Sequence, residues 1–585
     1  MKLDIYKKLK TGIKNRPSLF LSIILLLSCI NLTYMHLTII RMPLIPNYIH
    51  QNTNHCFVLF DIFILYVPFI LLQKIRNWSV LIPFTFLSLI VLFNVGYSRY
   101  FHTYVPLSLY TATENLNGLS SNVIDAFEIS DLILLLNLII AYLCYFKIYK
   151  KATFEKSRYW VIFLTSILFI IYFAIFITKI QKERQRLAEH FKEQKDSRTL
   201  FAIAHETMKG ELATDPATGF FHHGLIINHI LSNINNKQQP FPDKLRPFVY
   251  SKQCHIDSIC REKNLIFILV ESLASFVINK KYDSTEITPC INKLLREGAI
   301  YRNMKCETKL GESSDGQMIY MTGLLPINNS VTIYNLAKDS VISLCHLLKK
   351  QTAIKETRMV IPTGNTAWSQ KRMCEKYGFD TLYSRENYKG QCEDWLTDEQ
   401  LFKYAAKYDK PEDFPFFSMI LTSSTHSPWN KKFDSINIKF PNTFSNELKC
   451  YLTNIHYMDQ WLGWYIESLK NKKLYDNSVL IIAADHKPNI PKLNVKNADD
   501  FNNIPIIIVN SSINNNYFKK DGIYQSSIFP TILDMFGIEN KWRGVGTSMF
   551  VLKENTQTER KNKKYIISEA IIMSDFFKSA NKACH

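Results

Sequence analysis

The feature that most limits how this chain can fold is a series of five apolar runs in its first third, at residues 18–40, 57–73, 78–97, 132–146 and 159–178. A helix needs about 20 apolar residues to cross a bilayer, so these read as five membrane spans, the second and fourth leaning on their flanks. The first run is too long, and too weakly followed by small residues, for a cleaved signal peptide, and reads as a retained anchor. Basic residues crowd one set of loops. Lys2, Lys7, Lys8, Lys10, Lys14 and Arg16 precede the first run; Lys74 and Arg76 follow the second; Lys147, Lys150, Lys151, Lys156 and Arg158 follow the fourth. The opposite loops hold little beyond Arg41 and Arg99. By the positive-inside rule the N-terminus is cytoplasmic, and an odd number of spans puts everything after Thr178 on the outer side of the cell (plasma or inner) membrane.

The net charge of +19 has a topological source in those loops, and no nucleic-acid motif accompanies it. Anionic lipid head groups are the expected partners of the remaining basic surface, not nucleic acid. Asp61 lies near the outer end of the second run and is expected at the membrane interface. Nine of the twelve cysteines follow residue 178, which suits an oxidising compartment. Cys254 with Cys260 and Cys374 with Cys392 are plausible local pairs, and the absence of matched CxxC pairs argues against a zinc ribbon. The chain divides into a transmembrane domain (1–178), a helical connector and linker (179–262), a catalytic domain (263–555) and a C-terminal tail (556–585). In the connector, His222, His223 and His229 have no acidic or thiol neighbour in sequence and read as packed or interfacial.

From Asn264 the pattern changes. NLIFILVE is an unbroken apolar run, as in a strand buried on both faces. Similar runs recur at 359–361, 416–421, 479–483 and 504–509, with helical segments at 288–297, 398–408 and 446–470 between them. Alternating strands and helices predict an α/β sandwich with a mainly parallel sheet, whose chemistry lies beyond the carboxyl ends of the strands. Glu271 ends one strand, Asp485 and His486 end another, and His426 follows a third by a short loop. In KLGESSDGQMIYMTGLLP, Ser313 opens a helix, where free N–H groups and the helix dipole favour a phosphate and an alkoxide. Glu271, Ser313, Asp485 and His486 can close a four-ligand oxygen and nitrogen site for zinc, manganese or magnesium, with His426 beside it.

These stretches carry a resemblance. NLIFILVESLASF, GESSDGQM, YLTNIHYMDQWLGWYIESLK, AADHKP and SSIFPTILDMFGIE, together with the loop beginning YSRYFHTYVPLSLY and the five-span layout, resemble the lipoteichoic acid synthase family. These are membrane-anchored phosphoglycerol transferases of the alkaline phosphatase and sulfatase superfamily. The resemblance implies an extracytoplasmic α/β sandwich of alkaline phosphatase/sulfatase type and one divalent metal, manganese foremost, on Glu271, Ser313, Asp485 and His486. It implies Ser313 as nucleophile, where the family commonly has threonine, and His426 and Trp368 as contacts to substrate. Gln370 and Thr363 stand where that family has an arginine and an acid. The implied reaction moves a phosphoglycerol-type head group from a membrane phospholipid to a hydroxyl of an envelope glycan, glycolipid or polymer through a phosphoserine intermediate. Two other readings stand beside it: transfer of phosphoethanolamine to lipid A or glycans, and a non-catalytic envelope-binding role. No C/S-x-P-x-R element is present, which argues against sulfate-ester hydrolysis.

Overall fold

The computed structural model describes residues 17–40, 61–62, 64–66, 77–101, 104–105, 110, 126–146, 163, 167, 170, 174 and 225–226 and, further on, 260–327, 331–336, 341–427, 429, 433, 436–488, 501–511, 513, 523–551, 560–572, 574 and 576–577. The chain divides into two compact units: Met1–Tyr110 with Val123–Asn236, and Thr111–Asn122 with Lys237–His585.

In the first unit α1 (Pro17–Ile40), α2 (Leu81–Phe101) and α3 (Leu132–Cys144) pack together. Phe20, Ile24, Phe84, Val91 and Leu134 are buried among them, while Leu26, Phe86, Leu89, Leu136 and Ile139 remain exposed. Among the described residues two stretches, Phe20–Thr38 and Leu81–Arg99, are long and apolar enough to cross a membrane, and Ile129–Cys144 is shorter. The runs expected at 57–73 and 159–178 fall largely outside the described residues. Polar side chains tie the three helices: Asn31 donates to Ser88 Oγ (3.0 Å) and accepts from Asn137 (2.7 Å). Arg99 grips both oxygens of Asp131 at 2.6 and 2.9 Å. Asp61, expected at the membrane interface, is buried within the unit, where its two oxygens accept the Leu225 and Ile226 N–H groups at 2.7 and 2.9 Å. His222, His223 and His229 lie outside the described residues.

The second unit is built on a seven-stranded sheet: β1 (Asn264–Val270), β2 (Gly298–Lys305), β3 (Glu356–Val360), β4 (Thr381–Tyr383), β5 (Phe416–Leu421), β6 (Ser478–Ala484) and β7 (Asn503–Val509), in the order β2-β7-β6-β1-β5-β3-β4. β1 and β6 are buried along their whole length, as their unbroken apolar runs require. Pairing is parallel from β6 through β4, and β7 runs antiparallel to both β6 and β2. The helices used below are α4 (Pro289–Leu294), α5 (Ser313–Thr322), α6 (Asp398–Tyr408), α7 (Asn446–Asn471), α8 (Ile528–Met535) and α9 (Arg560–Ile572). α7 starts at Ser445, whose hydroxyl accepts the Leu448 N–H, and buries Leu448, Leu452, Ile455, Leu462, Ile466 and Leu469. α6 opens with a capping box of Thr397 and Gln400. In the C-terminal segment, α9 buries Ile567, Ile571 and Ile572, and Phe576 and Phe577 pack on Trp542.

Cys374 and Cys392, expected as a pair, are both free thiols. Cys374 is drawn into the core by its helix, alongside Met373 and Tyr377, while Cys392 sits in a half-exposed loop. Cys254 lies outside the described residues.

Candidate active site

The register of β1 against its neighbours sets the site. Val270 lies opposite Ala484 and Leu269 opposite Leu421, so Glu271 and Asp485 leave the sheet side by side with the 422–426 loop on the other flank. The ladder continues past the strand ends: Asp485 N–H donates to the Val270 carbonyl (3.2 Å) and Thr422 N–H to that of Leu269 (3.0 Å). Ser272, at φ 53°, turns the chain between the two acids. Its hydroxyl donates to Glu271 Oε1 (2.7 Å) and its N–H to Asp485 Oδ1 (2.9 Å). The His486 N–H donates to the same Asp485 oxygen at 2.7 Å.

His486 Nδ1 donates to the Lys487 carbonyl at 2.7 Å. That bond fixes the ring and presents Nε2 to Glu271 Oε1 at 3.2 Å, Ser313 Oγ at 3.2 Å and Asp485 Oδ2 at 3.7 Å. Ser313 is the first residue of α5 and its hydroxyl donates to Glu271 Oε2 at 3.0 Å. The irregular approach to it is folded by Asp315, which accepts the Lys309 and Gly311 N–H groups at 2.9 and 3.0 Å. Glu312, at φ 39°, occupies a conformation that L residues rarely adopt, immediately before Ser313; strain of this kind clusters at functional sites. Gly316 lets α5 approach the Asp485–His486 turn, since a Cβ there would lie 2.3 Å from the Asp485 carbonyl oxygen.

The electrostatics are those of crowded, buried anions. Burial raises Asp485, the charge of Glu271 raises it further, and the carboxyl stands well above the usual range. Burial also opposes ionisation of Glu271, but the charge and hydrogen bond of His486 outweigh it and hold this carboxyl low. Burial opposes a charged imidazole at His486, yet Asp485 and Glu271 keep it well above its ordinary value. Two carboxylates this close push their titrations apart and draw in protons unless a cation is there. The ligand atoms of Glu271, Asp485 and His486 all lie within 4.8 Å of one another. Among the described residues no lysine or arginine pairs with either carboxylate. Two carboxylates, one imidazole and one hydroxyl, all convergent, fit a single divalent ion.

Beside this cluster, His426 Nδ1 donates to the Ser427 carbonyl (2.5 Å), and its charge reaches Glu271. Its loop is held by Asp398, which accepts the Ser423 and Ser424 N–H groups at 2.8 and 3.2 Å, and by Asn454, which donates to the Ser424 carbonyl at 2.9 Å. The structure therefore gathers Glu271, Ser313, Asp485 and His486 and sets His426 next to them. Trp368 has its backbone in the short helical turn Ala367–Ser369; its side chain is outside what is described. Sequence reasoning missed Ser272 and Trp395. The Trp395 ring meets that of His426 edge-on, with centroids 4.8 Å apart and planes at 82°. A tryptophan next to Asp394 in a loop carries no local signal for this contact.

The sulfatase family model matches residues 263–538, and the model of the lipoteichoic acid synthase N-terminal domain matches residues 1–199. The chain is thus similar to the lipoteichoic acid synthases in its first part, and its residues 263–538 form a sulfatase-family domain. It is 24% identical over 526 residues to the lipoteichoic acid synthase of Staphylococcus saprophyticus, covering 84% of this chain and 78% of that one. With the lipoteichoic acid synthase of Staphylococcus aureus it shares 26% identity over 368 residues, 57% of this chain and 56% of the relative. Among solved structures, the lipoteichoic acid synthase LtaP of Listeria monocytogenes aligns over 52% of this chain and 80% of its own, at 20% identity and a TM-score of 0.46. The match of residues 263–538 to the sulfatase family model makes the α/β unit one of alkaline phosphatase/sulfatase type.

Proposed function

We propose that this protein is a membrane-anchored phosphotransferase that moves a phosphoglycerol-type head group from a phospholipid to a hydroxyl of an envelope glycan, glycolipid or polymer. One observation carries the reading: the Ser313 hydroxyl, at the N-terminus of α5, lies 3.0 Å from Glu271 Oε2 and 3.2 Å from His486 Nε2. A nucleophile, a carboxylate and an imidazole converge where a helix N-terminus can receive a phosphate.

Glu271, Asp485, His486 and Ser313 would hold one divalent ion, manganese foremost and zinc or magnesium by the same donor set, which when bound lowers the pKa of the Ser313 hydroxyl and offsets charge on the phosphoryl oxygens. Ser313 Oγ gives up its proton to solvent and attacks phosphorus, while the positive end of the α5 dipole faces the phosphoryl oxygens. The bond from phosphorus to the diacylglycerol oxygen breaks, and His426 supplies the proton that this oxygen takes. The head group then stands on Ser313 as a phosphodiester. An acceptor hydroxyl attacks the same phosphorus, its proton returns to His426, and Ser313 leaves and takes a proton back from solvent. The Nδ1 bond of His426 to Ser427 leaves Nε2 as the nitrogen that trades this proton.

A phosphoethanolamine donor is the second reading. Glu312 favours it: this carboxyl lies close enough to His486, Glu271 and Lys487 to feel their charges and would offer an ammonium group a partner next to Ser313. The apolar exterior of α1–α3 supports membrane anchorage by several spans, and the basic loops favour a cytoplasmic N-terminus with the α/β unit outside. The test is diacylglycerol release from phosphatidylglycerol and, separately, phosphatidylethanolamine vesicles by the detergent-purified protein with manganese. Ser313→Ala is expected to lower release by more than about a thousandfold. Equal release by the variant would remove Ser313 from the reaction.

A further inference from the structure

At the backbone of the cluster one buried side chain ties three separate parts of the chain. Gln525 is fully buried in the turn that precedes α8. Its amide nitrogen donates to the backbone carbonyl of Asp485 at 2.8 Å and to the Tyr320 hydroxyl at 3.3 Å. Its amide oxygen accepts the N–H of Glu307 at 2.6 Å. Both ends of the amide are therefore used, on the peptide of the β6 terminus and on the segment that leads into the Ser313 turn. Tyr320, on α5, donates in turn to the Ala484 carbonyl at 2.8 Å. The Glu307 peptide is held from its other side as well: the Tyr565 hydroxyl on α9 donates to the Glu307 carbonyl at 3.0 Å, and the Glu307 carboxylate accepts the Ser526 N–H at 2.8 Å. The Ser568 hydroxyl, also on α9, accepts the Leu325 N–H at 2.9 Å beyond the far end of α5.

The result is a continuous run of hydrogen bonds, Tyr565 to Glu307 to Gln525 to Asp485. It joins a helix outside the stretch matched by the sulfatase model to the backbone of a residue whose carboxylate belongs to the site. We infer that Gln525 is a positioning residue for the metal-binding end of β6, and that α9 braces it through Tyr565 and Glu307. The inference rests on the reading of Asp485 as a metal ligand. Ligand carboxylates must be held in one geometry for a metal to be bound tightly, and partners that orient them typically contribute about 10- to 100-fold in affinity. A Gln at 525 suits this role because one amide offers both a donor to a carbonyl and an acceptor for an N–H. Glu in its place keeps the shape and the bond to Glu307 N–H but turns an oxygen toward the Asp485 carbonyl oxygen.

The experiment is manganese titration of the full-length, detergent-purified protein by calorimetry, with thermal melting of each metal-free variant alongside. Gln525→Glu is expected to weaken manganese binding by about 10- to 100-fold, and Tyr565→Phe, which cuts the outermost link, by about threefold. A purely structural role would lower the melting temperature and leave manganese affinity at the wild-type value; that result in both variants overturns the inference. Should Gln525→Glu fail to fold, Tyr320→Phe replaces it under the same criterion, because it removes a bond to the Ala484 carbonyl and a partner of Gln525. Asp485→Asn separates the two levels. Undiminished manganese binding by that variant overturns the metal reading itself, and loss in Asp485→Asn with none in the relay variants overturns the relay alone.

Discussion

Gly316 has no room for a methyl group. An added Cβ would sit 2.3 Å from the Asp485 carbonyl oxygen and 3.0 Å from its Cα, and both are backbone atoms that cannot swing aside. Gly316→Ala is expected to cost about 1–3 kcal/mol of stability, the usual range for overpacking, and to weaken manganese binding by pushing α5 off the β6 terminus; a melting temperature and metal affinity equal to wild type would contradict this. The four central residues were legible from sequence because each breaks a pattern. Glu271 and the Asp485–His486 pair are polar residues placed directly after apolar strand runs, and Ser313 is a hydroxyl opening a helix after an irregular approach. Ser272, Trp395, Gln525 and Tyr565 break no pattern. Their roles depend on partners far away in sequence: Ser272 on Asp485, Trp395 on His426, Gln525 on Glu307 and Asp485, Tyr565 on Glu307.

Elements differ in how plainly they announce themselves. β1, β5, β6 and β7 are predominantly apolar runs, and α6 and α7 carry capping residues and one apolar face, so they could be placed from sequence. β2 alternates buried and more exposed positions along GAIYRNMK, as befits the sheet edge, and β4 has only three residues; neither yields a run long enough to read. The antiparallel course of β7 is likewise invisible locally, since its sequence is as apolar as that of its parallel neighbours. The packing of α4 on α7 supplies a test at this scale. Asp459, fully buried on α7, accepts the Cys290 and Ile291 N–H groups at 2.6 and 2.9 Å, closing the first turn of α4. Burial raises its carboxyl to about 7, against the lowering effect of those two bonds. The folded chain therefore keeps a proton that the unfolded chain releases near its ordinary value of 3.8. The stability tied to that proton is fully present below the ordinary value and is lost as the pH rises through about 7. Denaturation curves of Asp459→Asn between pH 4 and 8, a window of about four units around this value, are expected to be flatter than those of wild type. Parallel curves would contradict the assignment.

At the scale of the whole molecule the division into an apolar first third and an α/β unit was legible from length and hydropathy alone. The +19 charge took its meaning from its position in the loops between apolar runs. The expected local pair of Cys374 and Cys392 shows where sequence proximity misleads, because burial on a helix face decides where a thiol goes. Anchorage matters to the proposed chemistry: a donor confined to a bilayer is presented to a tethered site at high effective concentration, and a covalent intermediate lets donor and acceptor use one pocket in turn. The most direct test of that account is peptide mass spectrometry of the full-length protein after incubation with manganese and phosphatidylglycerol, quenched before acceptor is added. The account predicts a phosphoglycerol adduct on the peptide that contains Ser313, absent from Ser313→Ala. Diacylglycerol release with no adduct on that peptide, or an adduct on another residue, would contradict it.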